Sequence, residues 1–411
     1  MMNLRSIGRA SWLPVLISLA ACSSEETGPQ AGAELRVSVP AFISSVRSVD
    51  LSALTATLEL NGESRTMTRS GDVWSTTVSV AANSTHTLSL SWSETVRGRA
   101  LPLGQYSTSV SVGESAQTVV IASEDYNSEG FDLDGDGVSN LQERALSTNP
   151  FLDNTLAGAV DVVIPRLPED SAAPTLDGRI ASSEWRYAVT ADSSGASLLI
   201  NNLMFEEDQG ADQADGVPKS RWSAIHDGTY LYLLVVADDN GTRRYDSDDA
   251  WDDDNLNIYL DGGYSHTSSY NADGQDNDIH LLIPLLNESG APNDSSNSGR
   301  FHTGVNSSTE FNTSGSKPDF AFSNAKESSG EQGARGNQMD VYEFRISLDR
   351  LGISGGGQLG IDLHLDDDDN GGERDSKWAW FHPSGSASDS SLTNDNTYSN
   401  PTFMARAALE N

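Results

Sequence analysis

The sequence predicts an all-β protein of two β-sandwich domains joined by an acidic loop. Three observations carry that reading. Short stretches alternate apolar with polar residues along most of the chain, turns rich in Gly, Asn and Ser separate them, and no long amphipathic helix interrupts them. The 411 residues are enough for two or three domains, each with a sizeable core.

Residues 1–21 read as an export signal. Arg5 and Arg9 form a basic start, Trp12 to Leu19 an apolar stretch too short to span a bilayer, and Ala20-Ala21 the small residues before a cleavage point. The run Leu19-Ala20-Ala21-Cys22 resembles a bacterial lipobox. That resemblance implies a lipidated Cys22 at the mature N-terminus, and Ser23 after it implies sorting to the outer membrane of a Gram-negative cell. Cys22 is the single cysteine, so internal disulfides are excluded, and a free thiol there is the alternative. Residues 22–33 form a polar tether.

Residues 34–123 carry strand signals such as TATLELNG, RTMTRSGDVWSTTVSV and HTLSLSWSE, broken by Asn-Gly and Ser-Gly-Asp turns. Strands this short and this regularly spaced suggest an immunoglobulin-like or fibronectin type III-like sandwich. Trp74 and Trp92 lie within alternating strands and are expected in its core.

Sixty Asp and Glu against 25 Lys and Arg give a formal charge of -35. Such a surface repels nucleic acid and anionic headgroups and favours divalent cations and neutral ligands; solubility alone would also account for it.

Within residues 124–159, Asp132 to Glu143 reads DLDGDGVSNLQE. Asp132, Asp134, Asp136, the Val138 carbonyl, Asn140 and Glu143 fall at the donor positions of a twelve-residue calcium loop, with Gly137 at its sharp turn. Calcium is therefore the expected cofactor, stiffening the hinge between the two sandwiches. The segment resembles bacterial EF-hand-like loops and thrombospondin type 3 repeats, in one copy.

In residues 160–411, TYLYLLVVAD is apolar on both faces and predicts a central strand, whereas VYEFRISL alternates and predicts a half-buried one. Two further segments, Ala250 to Gly263 and Leu359 to Trp380, each join a strand, an acidic run and tryptophan. Leu256, Ile258, Leu260, Ile361, Leu363 and Leu365 should face a core, with Asn257, Tyr259, Asp362 and His364 facing away. Trp185, Trp378 and Trp380 fit core or rim packing, Trp222 core or cleft, and Trp251, beside Asp252 to Asp254, a ligand platform. The runs 252–254 and 366–369 are either solvated loops or cation sites.

Four landmarks in order resemble a family 9 carbohydrate-binding module: PTLDGRIASSEWRYA, HDGTYLYLLVVADD, AWDDDNLNIYLDGG and GIDLHLDDDDNGGERDSKWAWF. The resemblance covers 170–411 and implies a carbohydrate-binding β-sandwich in which two aromatic rings clasp a terminal sugar. Trp251 matches the first ring and Tyr398, in Tyr398-Ser399-Asn400-Pro401, the second, where the family usually has Trp. Asn257 stands where the family has an acid, His364 at a polar contact, and Glu343 and Arg345 would bond further hydroxyls. The implied partners are an oligosaccharide or polysaccharide, the membrane through the lipid anchor, and separate glycoside hydrolases.

No catalytic residues emerge. The Gly-x-Ser-x-Gly match at 352–356 lies in a glycine-rich turn with no following helix, and the seven histidines show no zinc spacing. A calcium-stiffened structural or adhesive protein is one alternative. A haem-binding member of the same fold, ligated by Met404, Met339 or a histidine, is another, although no c-type attachment motif is present.

Overall fold

The computed structural model describes residues 32–411 except 41–51, 72, 122–124, 147, 154, 156–158, 182, 207–218, 239–252, 276, 286–297, 303–307, 313–319, 328–338, 355, 369–373, 382–396 and 398–399. The N-terminal sandwich contains β1 (Gly32–Pro40), β2 (Leu54–Leu60), β3 (Glu63–Thr66), β4 (Thr68–Ser70), β5 (Val73–Ala81), β6 (Ser84–Val96), β7 (Arg99–Val112) and β8 (Gln117–Val120). These form two four-stranded sheets, ordered β4-β5-β1-β8 and β3-β2-β6-β7. β1 starts at Gly32, inside the stretch read as tether. Alternation decides the core: Leu88, Leu90 and Trp92 of β6 are buried while Ser89 and Ser91 are not. Trp92 meets Trp74 edge-on at 5.0 Å, so both tryptophans are core residues, as their strand positions predict.

The linking segment is fastened to this sandwich. Its helix α1 (Asn140–Leu146) sends Arg144 to buried Glu94 of β6 in a two-point ion pair of 2.8 and 3.0 Å. Asn140 Nδ2 donates to the Pro102 carbonyl of β7 at 2.7 Å, and Phe151 is fully buried in the N-terminal core. The segment expected as a hinge is thus packed against the N-terminal sandwich, and it also bonds the end of the chain, where Asn149 Nδ2 donates to Glu410 Oε1 at 3.0 Å.

The C-terminal sandwich comprises β9 (Val162–Ile164), β10 (Asn202–Glu206), β11 (Arg221–His226), β12 (Tyr230–Ala237), β13 (Asn255–Gly262), β14 (Ile279–Pro284), β15 (Ser298–His302) and β16 (Ser308–Asn312). It continues with β17 (Phe320–Glu327), β18 (Met339–Ser347), β19 (Gln358–Asp367), β20 (Ser376–Ala379) and β21 (Ala405–Leu409). A nine-stranded sheet runs β10-β20-β19-β13-β14-β15-β16, with β21 joining β19 to β9, and faces a four-stranded sheet β11-β12-β18-β17. The pairs are antiparallel except β21 with β9.

Between the sheets lies one core, with Leu256, Ile258, Leu260, Ile361, Leu363 and Leu365 opposite Leu231, Leu233, Val235, Tyr342 and Phe344. Trp222 and Trp380 meet in it edge-on at 4.7 Å, which places both in the core rather than a cleft. The outer face of β12, with Tyr232, Leu234 and Val236, packs against Trp185 in a second cluster, so this strand is buried on both faces as its composition predicts. β18 departs from the half-buried expectation. Met339 to Phe344 are all buried, because the Trp185 segment covers the outer face as well, and Arg345 alone is exposed.

Candidate functional site

The remaining outer face, that of the nine-stranded sheet, is a buried polar layer. β13 pairs with β19 so that Asn257 lies opposite His364, and with β14 so that Tyr259 lies opposite His280. Asn257 Nδ2 donates to Asn255 Oδ1 at 2.6 Å and to Asp366 Oδ2 at 2.7 Å. His280 Nε2 lies 2.8 Å from Asn257 Oδ1, and because a carbonyl oxygen only accepts, that nitrogen carries the proton. The His280 ring stacks on Tyr259 at 4.3 Å. Lys377, 1% exposed, reaches Asp366 Oδ1 and the Tyr259 hydroxyl, both at 3.4 Å, and Arg374 reaches Asp366 Oδ1 at 3.1 Å. His364 Nε2 sits 2.8 Å from Asp362 Oδ2. Burial pushes the Asp362 carboxyl up, opposed by that imidazole and by the Leu363 and Phe381 amides.

Amide, imidazole, ammonium and carboxylate groups here offer the mixed donors and acceptors that sugar hydroxyls need. They are bonded to one another, so the layer fixes its own geometry at the entrance of β13. The two acidic runs meet at its end, where Asn255 pairs with Asp366 and the Asp368 amide donates to Asp254 Oδ1 at 3.0 Å. Asp253, Asp254, Asp367 and Asp368 are buried rather than forming solvated loops.

Sequence reasoning grouped Glu343 and Arg345 with Asn257 and His364, and the structure does not bring them together. Glu343 and Arg345 point out from the four-stranded sheet, on the opposite side of the sandwich, since Tyr342, Phe344 and Ile346 between them face the core. Glu343 accepts from the Asp177 and Gly178 amides at 2.8 and 2.7 Å and from Trp185 Nε1 at 3.0 Å. Burial raises its carboxyl, and these three bonds oppose the rise. Glu343 therefore anchors the turn before Trp185. Arg345 lies over the Tyr230 ring at 5.0 Å. Trp251, Tyr398, Cys22, Asp252 and Asp369 lie outside the described residues. Met404 packs beside Tyr259 and Tyr270, whereas Met339 lies on β18, in the other sheet.

A second site is the acidic loop. Asp132, Asp134 and Asp136 each offer an oxygen within 4.8 Å of the others. The Gly135 and Gly137 amides hold Asp132, both at 2.8 Å, and Gly137 has the positive φ of 87° that the sharp turn requires. Asp134 Oδ2 is buried with no hydrogen-bond partner among the described residues, and burial together with the charges of Asp136 and Asp132 pushes this carboxyl up to about 6. A cation among the three carboxylates would relieve both the repulsion and the unpaired oxygen, so this donor set fits calcium. Glu143 is buried nearby, its Oε1 taking the Thr148 hydroxyl at 3.3 Å. Asn140 differs from expectation, since Oδ1 accepts from the Leu133 amide while Nδ2 holds Pro102.

Two sheets packed face to face, with a bonded polar layer on one outer face, define the class as a β-sandwich. Residues 193–411, more than half the chain, match the family described as carbohydrate family 9 binding domain-like, and the chain belongs to that family. The match begins after the Pro174 to Ala188 element, the first of the four landmarks that resemble the family. Among solved structures, a family 9 carbohydrate-binding module from Caldicellulosiruptor kristjanssonii in complex with cellotriose is 16% identical, covering 60% of this chain and 92% of its own, with a TM-score of 0.36. The same organism's module in complex with glucose is 16% identical, covering 59% and 95%, with a TM-score of 0.36. No curated protein matches the chain.

Proposed function

We propose that this protein is a non-catalytic, lipid-anchored carbohydrate-binding protein that captures saccharide ends at the outer membrane and supports polysaccharide catabolism by separate hydrolases. The observation that carries the reading is the family match over residues 193–411. Trp251 and Tyr398 supply the stacking faces, and Asn257 with His280 and His364 supplies the polar floor. Glu343 and Arg345, on the far side of the sandwich, take no part. Asp132, Asp134, Asp136, the Val138 carbonyl and Glu143 hold calcium and stiffen the link between the sandwiches. Cys22 carries the lipid.

Calorimetric titration with glucose and cellotriose, with and without calcium, tests the proposal. Saturable binding that Trp251→Ala abolishes supports it; the absence of saccharide binding sinks it. The bonds tying the acidic loop to both sandwiches favour a second reading, a calcium-stiffened structural protein, which predicts a melting temperature that responds to calcium and not to sugar.

A further inference from the structure

Basic residues are outnumbered by 60 acidic ones to 25 in this chain, yet four arginines converge where the two sandwiches meet. Arg97 and Arg99 come from the β6–β7 hairpin, Arg166 follows β9, and Arg186 precedes the isolated bridge at Val189. Arg97, Arg166 and Arg186 line a cavity of about 590 Å³, together with Tyr187, Thr190 and Ser193. That volume lies within the roughly 300–1,000 Å³ range of small-molecule pockets.

Two carboxylates also line the cavity, and both are already bonded, Glu410 chiefly to Arg97 and Arg99 and Asp192 within its own turn. Glu410 Oε1 takes Arg97 at 2.6 Å and Asn149 Nδ2 at 3.0 Å, while Oε2 takes Arg99 at 3.5 Å and the Arg166 amide at 3.4 Å. Asp192 Oδ1 accepts from the Ser194 and Ala196 amides, both at 2.9 Å. Among the described residues, neither the Arg166 nor the Arg186 guanidinium has an ion pair: Arg186 lies over the Tyr187 ring at 4.3 Å, and Arg166 packs beside Gly228. The positive field is felt inside the fold. Burial first, then the charges of Arg166 and Arg99, push His226 down to about 4.

We propose that this junction pocket is a second binding site, taking a small ligand that carries an oxyanion, either a sugar carboxylate or a phosphate. Arg166 and Arg186 are the charged donors, and Thr190 and Ser193 the neutral ones. A guanidinium matches the planar or tetrahedral oxygens of such groups by paired N–H bonds, and its attraction is strongest where water is partly excluded. The site is separate from the polar layer of the nine-stranded sheet and does not depend on it.

The test is calorimetric titration of the full-length protein with glucuronate, inorganic phosphate and glucose, in low and high salt. Glucuronate or phosphate should bind saturably. Arg166→Gln and Arg186→Gln should each weaken that binding by about tenfold, since each removes a charge-assisted bond. High salt should weaken it as well. Glucuronate without phosphate identifies a sugar acid, and phosphate without glucuronate identifies a phosphate ligand. Arg186 is exposed, so Arg186→Gln leaves the fold intact if Arg166→Gln does not. Absence of saturable binding by either anion overturns the proposal. Anion binding unchanged in Arg186→Gln and in a folded Arg166→Gln also overturns it, assigning the anion to the site where glucose binds.

Discussion

Arg97 Nη1 lies 2.6 Å from Glu410 Oε1, an ion pair between residues 313 positions apart in the chain. Glu410 is 1% exposed, and the next residue, Asn411, donates its amide to the Phe151 carbonyl at 2.9 Å and its side chain to the Asp134 carbonyl at 3.3 Å. These two residues thus touch the N-terminal sandwich, the acidic loop and the C-terminal sandwich together. Replacing Glu410 with Ala leaves Arg99, itself largely buried, beside Arg97 with no carboxylate between them. The expected cost is about 1–3 kcal/mol, since Arg97 is exposed and Arg99 keeps its bond to the Asn411 main-chain oxygen. Urea denaturation should show it, with the transitions of the two sandwiches separating where the intact protein unfolds in one step.

Removing calcium should lower the melting temperature. The acidic loop holds three carboxylates close together, and a cation present at about 100 times its dissociation constant would stabilise the fold by about 2.7 kcal/mol. Scanning calorimetry with and without a chelator measures this. In Asp136→Ala the two curves should coincide.

Stability should fall in mild acid because of His226. Its folded pKa, about 4, lies below the unfolded 6.5, so the unfolded chain takes up this proton first as pH drops. The contribution is full above about 6.5 and is lost as pH falls toward about 4; a shift of this size is worth about 3 kcal/mol. Urea titrations across that range should show a slope that His226→Gln flattens.

Asn257→Ala should destabilise the C-terminal sandwich by about 1–3 kcal/mol, since Asp366 and His280 each lose a buried bond. It should also abolish cellotriose binding. Retained binding in a folded Asn257→Ala protein would remove this side chain from the sugar site.

What the sequence revealed depended on the range of the interaction. Trp74, Trp92 and the β13 and β19 leucines were placed correctly because alternation within one strand fixes the inward face. β12 was legible for the same reason, as each of its two faces has its own apolar cover. Alternation cannot say which of two outer faces a side chain joins. Glu343 and Asn257 therefore looked alike, although their strands lie in opposite sheets. β18 is buried beyond what its alternation predicts because its cover comes from Trp185, 158 positions upstream of Glu343. His280 has a signal in the sequence: Asp278, His280 and Leu282 alternate with core residues Ile279, Leu281 and Ile283. Glu410 left none, because its partners are remote in sequence.

β21 has a consequence for how the molecule is made. Ala407 pairs with Val162, so β9 emerges, at synthesis or on export, long before the strand that completes its edge. The N-terminal sandwich has no such delay, since its strand pairings fall within residues 32–120. As the chain emerges from its N-terminal end it can be finished while the nine-stranded sheet still has an open seam. The seam closes with residues 405–409, and residues 410 and 411 then dock on the domain that folded first. Completion of the second sandwich and its attachment to the first are therefore a single late event.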